Sequence, residues 1–344
     1  MRKIKFFDTT LRDGEQGIGY AMTETQKLAA LPVLDALGLD ALEIGMVTSD
    51  DAERFFTAAA QLAPASCIAA LCRMKPGDLA RTIAVLQRFS CSSINLLCVG
   101  SEIHLRDKLR ISAETLDDWT VDIFDRIRNS GYQGRIAAIL EDASRGSHDW
   151  LGRQIDTLRR QGVRQICIAD TVGCMVPSQV SRLFARLIGE HPTIEFSAHF
   201  HNDLGLATAN SLAAIEAGVD EVQVTLGGIG ERCGNAALEE VVAALELNPG
   251  LAGQVMPQVR LRDAVAACDA LYRIYGRVPY EKKPLLGEHA FTTCAGIHQD
   301  GIIKAPHVYE MFDPSTIGRT RRFHINHLSS RKYLDAGTSP VALA

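Results

Sequence analysis

The chain opens with Ile4-Lys5-Phe6-Phe7-Asp8-Thr9-Thr10-Leu11-Arg12-Asp13-Gly14-Glu15-Gln16, in which a short apolar run passes straight into charged and hydroxyl side chains. No glycine fingerprint for a dinucleotide follows this first strand, so the turn after it is not built around a pyrophosphate. The same unit then recurs. Apolar runs at Ile4–Thr9, Ala41–Gly45, Ser66–Cys72, Ser93–Val99, Arg135–Glu141, Gln165–Thr171, Glu195–His201 and Glu221–Gly227 read as eight strands. Between them lie segments of helical periodicity, among them Glu24–Leu37, Asp78–Arg88, Leu116–Ser130, His148–Gln161, Pro177–Glu190 and Gly205–Ala217. Gly38, Gly131, Gly162 and Gly218 stand where such helices would stop. Eight alternating βα units predict an α/β fold, a closed (β/α)8 TIM barrel, rather than a doubly wound sheet.

The repeat ends near Asn248, where Pro249, Gly250 and Gly253 mark a break. A helix over Leu261–Tyr275 and a loop-rich stretch follow. The expected division is a catalytic barrel over 1–257 and a smaller, mainly helical region over 258–344. Apolar residues make up 47% of the chain and charged residues 22%, enough for a large core and too apolar for disorder. A net charge of −5, with both signs interspersed, excludes a broad footprint for nucleic acid or an anionic membrane. Met1 to Phe7 run directly into the first strand, and no apolar run is long enough to span a bilayer, so a cytoplasmic location is expected. Nine cysteines without a C-x-x-C pair, with Cys67, Cys98 and Cys167 inside strand-like runs, predict reduced, buried thiols.

Chemistry in such a barrel sits at the C-terminal ends of the strands. Ligand-type residues follow nearly every strand at that end: Arg12 and Asp13, Glu43, Arg73, Ser101 and His104, Glu141 and Asp142, Asp170 and Thr171, the run from His199 to Asp203, and Glu231 to Asn235. His199 and His201 are two residues apart on a strand, so both imidazoles face one side and can share a metal. With Asp13 and Asn235 at the neighbouring strand ends, this predicts a mixed nitrogen and oxygen site for Mg²⁺, Mn²⁺, Co²⁺ or catalytic Zn²⁺. Arg12 adds a permanent cation beside it, a pairing suited to polarising a ketone and holding negative charge on its oxygen. Gly227-Gly228-Ile229-Gly230 is a weak phosphate-cradle signal, because glycine turns also serve unusual backbone angles.

Four segments together carry a resemblance: Asp8 to Gln16, His199-x-His201-Asn202-Asp203, Gly228-x-Gly230-Glu231-Arg232-x-Gly234-Asn235, and Gly296-Ile297-His298-Gln299-Asp300-Gly301. The chain resembles the metal-dependent, acetyl-CoA-dependent 2-oxo-acid condensing enzymes, the isopropylmalate, citramalate and homocitrate synthases. That resemblance implies a divalent metal held by Asp13, His199, His201 and Asn235, with acetyl-CoA as co-substrate. It implies catalytic roles for Arg12, Glu141, His298 and Tyr309, and substrate binding by Arg12, Gln16, Glu43, His104 and Thr171. It also implies a homodimer whose C-terminal region reaches the partner's barrel. The length leaves no room for the leucine-sensing regulatory domain of full isopropylmalate synthases.

The substrate is less clearly marked. The tail Ile325-Asn326-His327-Leu328-Ser329-Ser330 is closer to homocitrate synthases, and homocitrate formation from 2-oxoglutarate is the leading expectation, ahead of isopropylmalate, citramalate or a specialised relative. Against it, Ala137 stands where those synthases place an arginine for the distal carboxylate, and Ile139 replaces a polar residue. Either an apolar wall selects an uncharged tail, or His104 and Arg106 meet the distal charge. A metal-dependent hydroxyacyl-CoA lyase or aldolase is the alternative class. Retention of every ligand-type residue argues against a non-catalytic sensor.

Overall fold

The computed structural model describes residues 2–248, 250, 251, 255–327 and 329. Pro249 and Gly253 of the expected break, and Leu328 and Ser330 of the tail motif, lie outside them. Eight parallel strands close into one barrel: β1 (Lys5–Asp8), β2 (Ala41–Met46), β3 (Cys67–Arg73), β4 (Ser92–Val99), β5 (Arg135–Glu141), β6 (Gln165–Asp170), β7 (Glu195–Phe200) and β8 (Glu221–Val224). The closing pair sets Lys5 beside Glu221 and Asp8 beside Val224, which excludes an open sheet. Each strand is buried on both faces. Along β3, Ile68, Ala70 and Cys72 join the core under the helices, while Ala69 and Leu71 pack in smaller clusters on the alternate face, inside the barrel.

Helices α1 (Glu24–Asp35), α2 (Asp50–Gln61), α3 (Pro76–Leu86), α4 (Ala113–Ser130), α5 (His148–Arg160), α6 (Pro177–Glu190), α7 (Ala207–Ala217) and α8 (Leu238–Leu247) alternate with the strands. Local chemistry sets their ends. The Ser112 side chain accepts the Thr115 N–H at the start of α4, and Gly131 closes that helix in the left-handed conformation. α2 buries Phe55, Phe56 and Ala59 on one face; Phe56 is wholly enclosed, worth about 2 kcal/mol over an exposed ring. α9 (Leu261–Tyr275) packs against α1 and α8 and sends Val265, Cys268, Leu271 and Tyr272 into the same core. Beyond it come α10 (Gly296–Lys304), short 3-10 turns, and a two-residue parallel pairing of Thr292–Thr293 with Arg322–Phe323. Among the described residues, no helix is long and apolar enough to cross a membrane.

Three details depart from expectation. β8 stops at Val224, because Leu226–Gly228 wind into a tight turn with Gly227 at φ 70° and Gly228 at φ 67°. His201 lies one residue past β7 and instead bridges Asn235 in antiparallel fashion. The reduced state expected for Cys67 does not hold: it is joined to Cys91. β3 and β4 pair with Ile68 beside Ser92, which brings the preceding residues to a Cα separation of 4.6 Å. Cys98 and Cys167 are free and buried, as expected.

Polar side chains also lie inside the barrel. Glu221 on β8 is buried, with its carboxylate accepting from Gln165 Nε2 at 2.9 Å. Burial raises its pKa to about 7, so the folded protein holds it protonated where the unfolded chain would ionise. The stability gained from this site is therefore full below the ordinary glutamate range and is lost as pH climbs towards 7. At about 1.4 kcal/mol per tenfold change in proton affinity, the loss amounts to about 3 kcal/mol. Glu221→Gln should melt close to the parent at pH 4.5 and gain on it steadily up to pH 8. Melting curves that stay parallel across that range would show that Glu221 does not carry this penalty.

Candidate active site

The loop after β1 folds back on itself: the N–H groups of Arg12, Asp13 and Gly14 all donate to the carbonyl of Thr9, at 3.1, 2.8 and 3.1 Å. That turn brings Asp13 over the barrel mouth. From β7, His199 and His201 come up to meet it, with their Nε2 atoms 3.3 Å apart. Asp13 Oδ2 lies 3.7 Å from one and 3.9 Å from the other, and all three residues are buried. Burial, then the neighbouring ring of His201, pushes His199 down to about 3; burial also lowers His201. Both rings are thus neutral near pH 7 and offer lone pairs. Burial alone would raise Asp13, but Arg12 and the two histidines outweigh it and hold the carboxylate well below its usual range.

Asn235 completes the cluster. Its Nδ2 donates to Asp13 Oδ1 at 3.0 Å and to the Ile229 carbonyl at 3.2 Å, while its buried Oδ1 has no partner. An unmet buried oxygen beside a carboxylate and two neutral imidazoles is a donor set that fits a divalent cation. The loop that carries Asn235 is compact. Gly234 sits at φ 92°, where a side chain would strike the Gly228 carbonyl. Arg232 takes the left-handed conformation at φ 54° and is held there by Asp203, at 2.7 and 2.8 Å, and by the Thr171 carbonyl at 2.8 Å.

Arg12 lies between two acids, donating through Nε to Glu43 and through Nη1 to Asp13, both at 2.5 Å. Nη2 is left for a ligand oxygen. Glu43 is wholly enclosed beneath it and spends its second oxygen on Asn95 Nδ2 at 3.0 Å, so it stands behind Arg12 and not on the cavity wall. Asn95 was not among the expected residues; its signal was a polar side chain at an inward position of an apolar strand.

A cavity of about 320 Å³ opens above this cluster. Arg12, Asp13, Gln16, Glu141, Thr171, His199, His201, Gln223, Glu231 and Arg232 supply its polar lining, and Met46, Leu71, Leu97, Ile139 and Ala169, which belong to one apolar cluster, supply the rest. Thr171 Oγ1 accepts the Asp142 N–H at 2.8 Å, which leaves its own proton to donate. Glu141 is paired with Lys108 and with His104 Nδ1, so His104 reaches the cavity only through that carboxylate. Ala137 does not reach it, and exposed Arg106 is paired with Asp107. A second cavity of about 560 Å³ shares Arg12, Gln16 and Met46 and extends over α2 past Lys27 and Arg54. His298 and Tyr309 are not brought to the mouth of their own barrel: they stack at 4.2 Å on the C-terminal region, both exposed.

Residues 285–334 match the family described as homocitrate synthase post-HMGL domain-like. The 2-isopropylmalate synthases of Bacillus thuringiensis (strain Al Hakam) and Bacillus cereus (strain Q1) are each 34% identical over 336 residues, 94% of this chain. The chain spans 64% of the length of these relatives. They bear out the resemblance to the condensing enzymes. Among solved structures, a hydroxymethylglutaryl-CoA lyase from Pseudomonas aeruginosa superposes with a TM-score of 0.68 at 20% identity, covering 81% of this chain and 95% of that one, a likeness of fold. Residues 3–270, which contain the whole barrel and the Asp13, His199 and His201 cluster that could hold a metal, match the HMGL-like family, and to that family the chain belongs.

Proposed function

We propose that the chain joins the methyl carbon of acetyl-CoA to the ketone carbon of a 2-oxo acid with an uncharged tail, and then releases CoA. The observation that carries this is the lining of the mouth cavity, where Arg12 and the candidate metal ligands share the space with one apolar cluster of Met46, Leu71, Leu97, Ile139 and Ala169. A distal carboxylate against that cluster would be buried without a partner, at a cost of several kcal/mol.

A divalent cation held by Asp13, His199, His201 and Asn235 would supply Lewis acidity at the carboxylate and ketone oxygens of the acid. Arg12, fixed by Glu43 and Asp13, stabilises the alkoxide that forms as the ketone carbon takes the new bond. The Thr171 hydroxyl donates to the substrate carboxylate. Glu141 assists loss of the acetyl methyl proton, and that proton or its equivalent ends on the new hydroxyl. Water then cleaves the thioester and CoA leaves as the thiol. The larger neighbouring cavity, entered past Gln16 and Met46, has room for the CoA arm.

Exposed His298 and Tyr309 fit a homodimer in which the C-terminal region of one copy covers the partner's mouth. Ile297, Val308 and Met311 beside them are also exposed, an apolar surface suited to burial in such a contact. A second reading, homocitrate formation from 2-oxoglutarate, is favoured by the C-terminal family match and by Lys108 at the edge of the mouth, although its ammonium is already paired with Glu141.

With Mg²⁺ or Mn²⁺, free thiol should be released from acetyl-CoA only when a 2-oxo acid is present, and uncharged acids should outperform 2-oxoglutarate by about tenfold or more. Faster turnover of 2-oxoglutarate would favour the second reading. Cleavage of a hydroxyacyl-CoA without any thiol release from acetyl-CoA would instead place the chain among lyases. His199→Ala should lower turnover by more than the roughly 100-fold that loss of a supporting residue costs, and should weaken Mn²⁺ binding in a calorimeter. If the variant keeps its melting curve and its Mn²⁺ affinity, the metal assignment is wrong.

A further inference from the structure

A third cavity, of about 160 Å³, adjoins the mouth and plays no part in the chemistry above. It shares Leu97 and Glu141 with the mouth cavity, so the two meet at those side chains. Leu97 and Val99 lie on the same face of β4, and from there the cavity runs between Met74, Leu109, Leu116 and Trp119. Its volume is close to the roughly 150 Å³ apolar cavity that accepts a benzene ring.

The cavity's roof is unusual. Residues His104–Leu109 form a π-helical turn that ends at Arg110 in the left-handed conformation, φ 56°. Wide turns of this kind are uncommon and cluster at functional sites. Trp119 on α4 is 43% exposed, a large aromatic left uncovered at the rim. Three of the four basic groups around the cavity are already committed, Arg73 to Asp78 and both His104 and Lys108 to Glu141. The interior is thus an apolar pocket with its nearby charges mostly neutralised.

We propose, resting on the condensing reading above, that the tail of the 2-oxo acid passes Leu97 into this third cavity. The chain then selects acids with an aryl or long alkyl tail over short branched ones. The Glu141–Lys108 pair sits where the two cavities join, so the carboxylate that serves the reaction is held by the same turn that roofs the tail.

The test compares kcat/KM for thiol release from acetyl-CoA with 2-oxoisovalerate, phenylpyruvate, 2-oxooctanoate and 2-oxoadipate. The wild-type protein should favour phenylpyruvate or 2-oxooctanoate over 2-oxoisovalerate by about tenfold or more. Leu109→Trp, which fills the cavity from a half-buried position, should reduce that ratio by about tenfold. A wild-type preference for 2-oxoisovalerate overturns the inference and leaves the condensing reading standing. So does a ratio that Leu109→Trp leaves unmoved, whereas a preference for 2-oxoadipate, whose distal carboxylate would meet Lys75, overturns the inference and the uncharged tail together and leaves only the condensation. Thiol release with none of the acids removes both readings. The wild-type ranking decides the matter even if the variant fails to fold.

Discussion

One arginine between two acids organises the mouth of this barrel. Arg12 is buried, and so are the carboxylates of Glu43 and Asp13 that hold it. Removing ions from water is costly, and the mutual attraction repays it only when the geometry is good and every remaining lone pair is met. Here one guanidinium lies between two buried carboxylates. A bound cation would add positive charge beside Asp13 and would meet the unpartnered Asn235 oxygen as well. The fit of the site to a divalent cation therefore rests on electrostatics as much as on the choice of ligand residues.

That cluster is held by contacts that reach around the barrel closure. Asp8 accepts from both the N–H and the hydroxyl of Thr10, and the same hydroxyl accepts the Leu226 N–H at 2.9 Å. The loop bearing Arg12 and Asp13 is thereby tied to the loop bearing Asn235. From the other end of that loop, Glu239 accepts the Gly227 N–H at 3.0 Å, and Lys283, beyond the barrel, is paired with Glu240. A change in how the post-barrel segment docks would thus be felt at Asn235 through two hydrogen-bonded links.

The barrel and the meeting of His199 with His201 were legible because they rest on local periodicities. Short apolar runs alternating with helical periodicity imply the βα repeat, and His199-x-His201 needs only strand geometry to place two rings together. What escaped depends on relations between strands. The Cys67–Cys91 bond follows from the register of β3 against β4, and no spacing along the chain encodes that register. Glu43 carries the residue type of a ligand group, yet its depth under Arg12 turns it into a support, a distinction that requires the third dimension. The early end of β8 reflects two glycines in left-handed conformations, where the apolar pattern alone ran on to Gly227.

The three cavities at the mouth differ in a way that bears on how two substrates can be kept apart. The largest carries its basic groups paired with acids, Lys27 with Glu15 and Arg54 with Asp51, and the smallest is enclosed chiefly by aliphatic and aromatic side chains, while the one between them holds the candidate metal cluster. A polyanionic arm gains nothing in the apolar cavity, because its charges would be desolvated without partners. An apolar tail gains little along the polar one, whose charged side chains are better left to water. On the proposed reaction, the CoA arm takes the largest cavity and the tail of the 2-oxo acid the smallest, with Arg12 lining the first and the one between. The acetyl methyl and the ketone carbon meet between them, the kind of positioning that turns an encounter of two molecules into a reaction within one complex. Glu141 lines both the mouth cavity and the smallest one and is tied to Lys108 and His104, so its orientation is set before either substrate arrives.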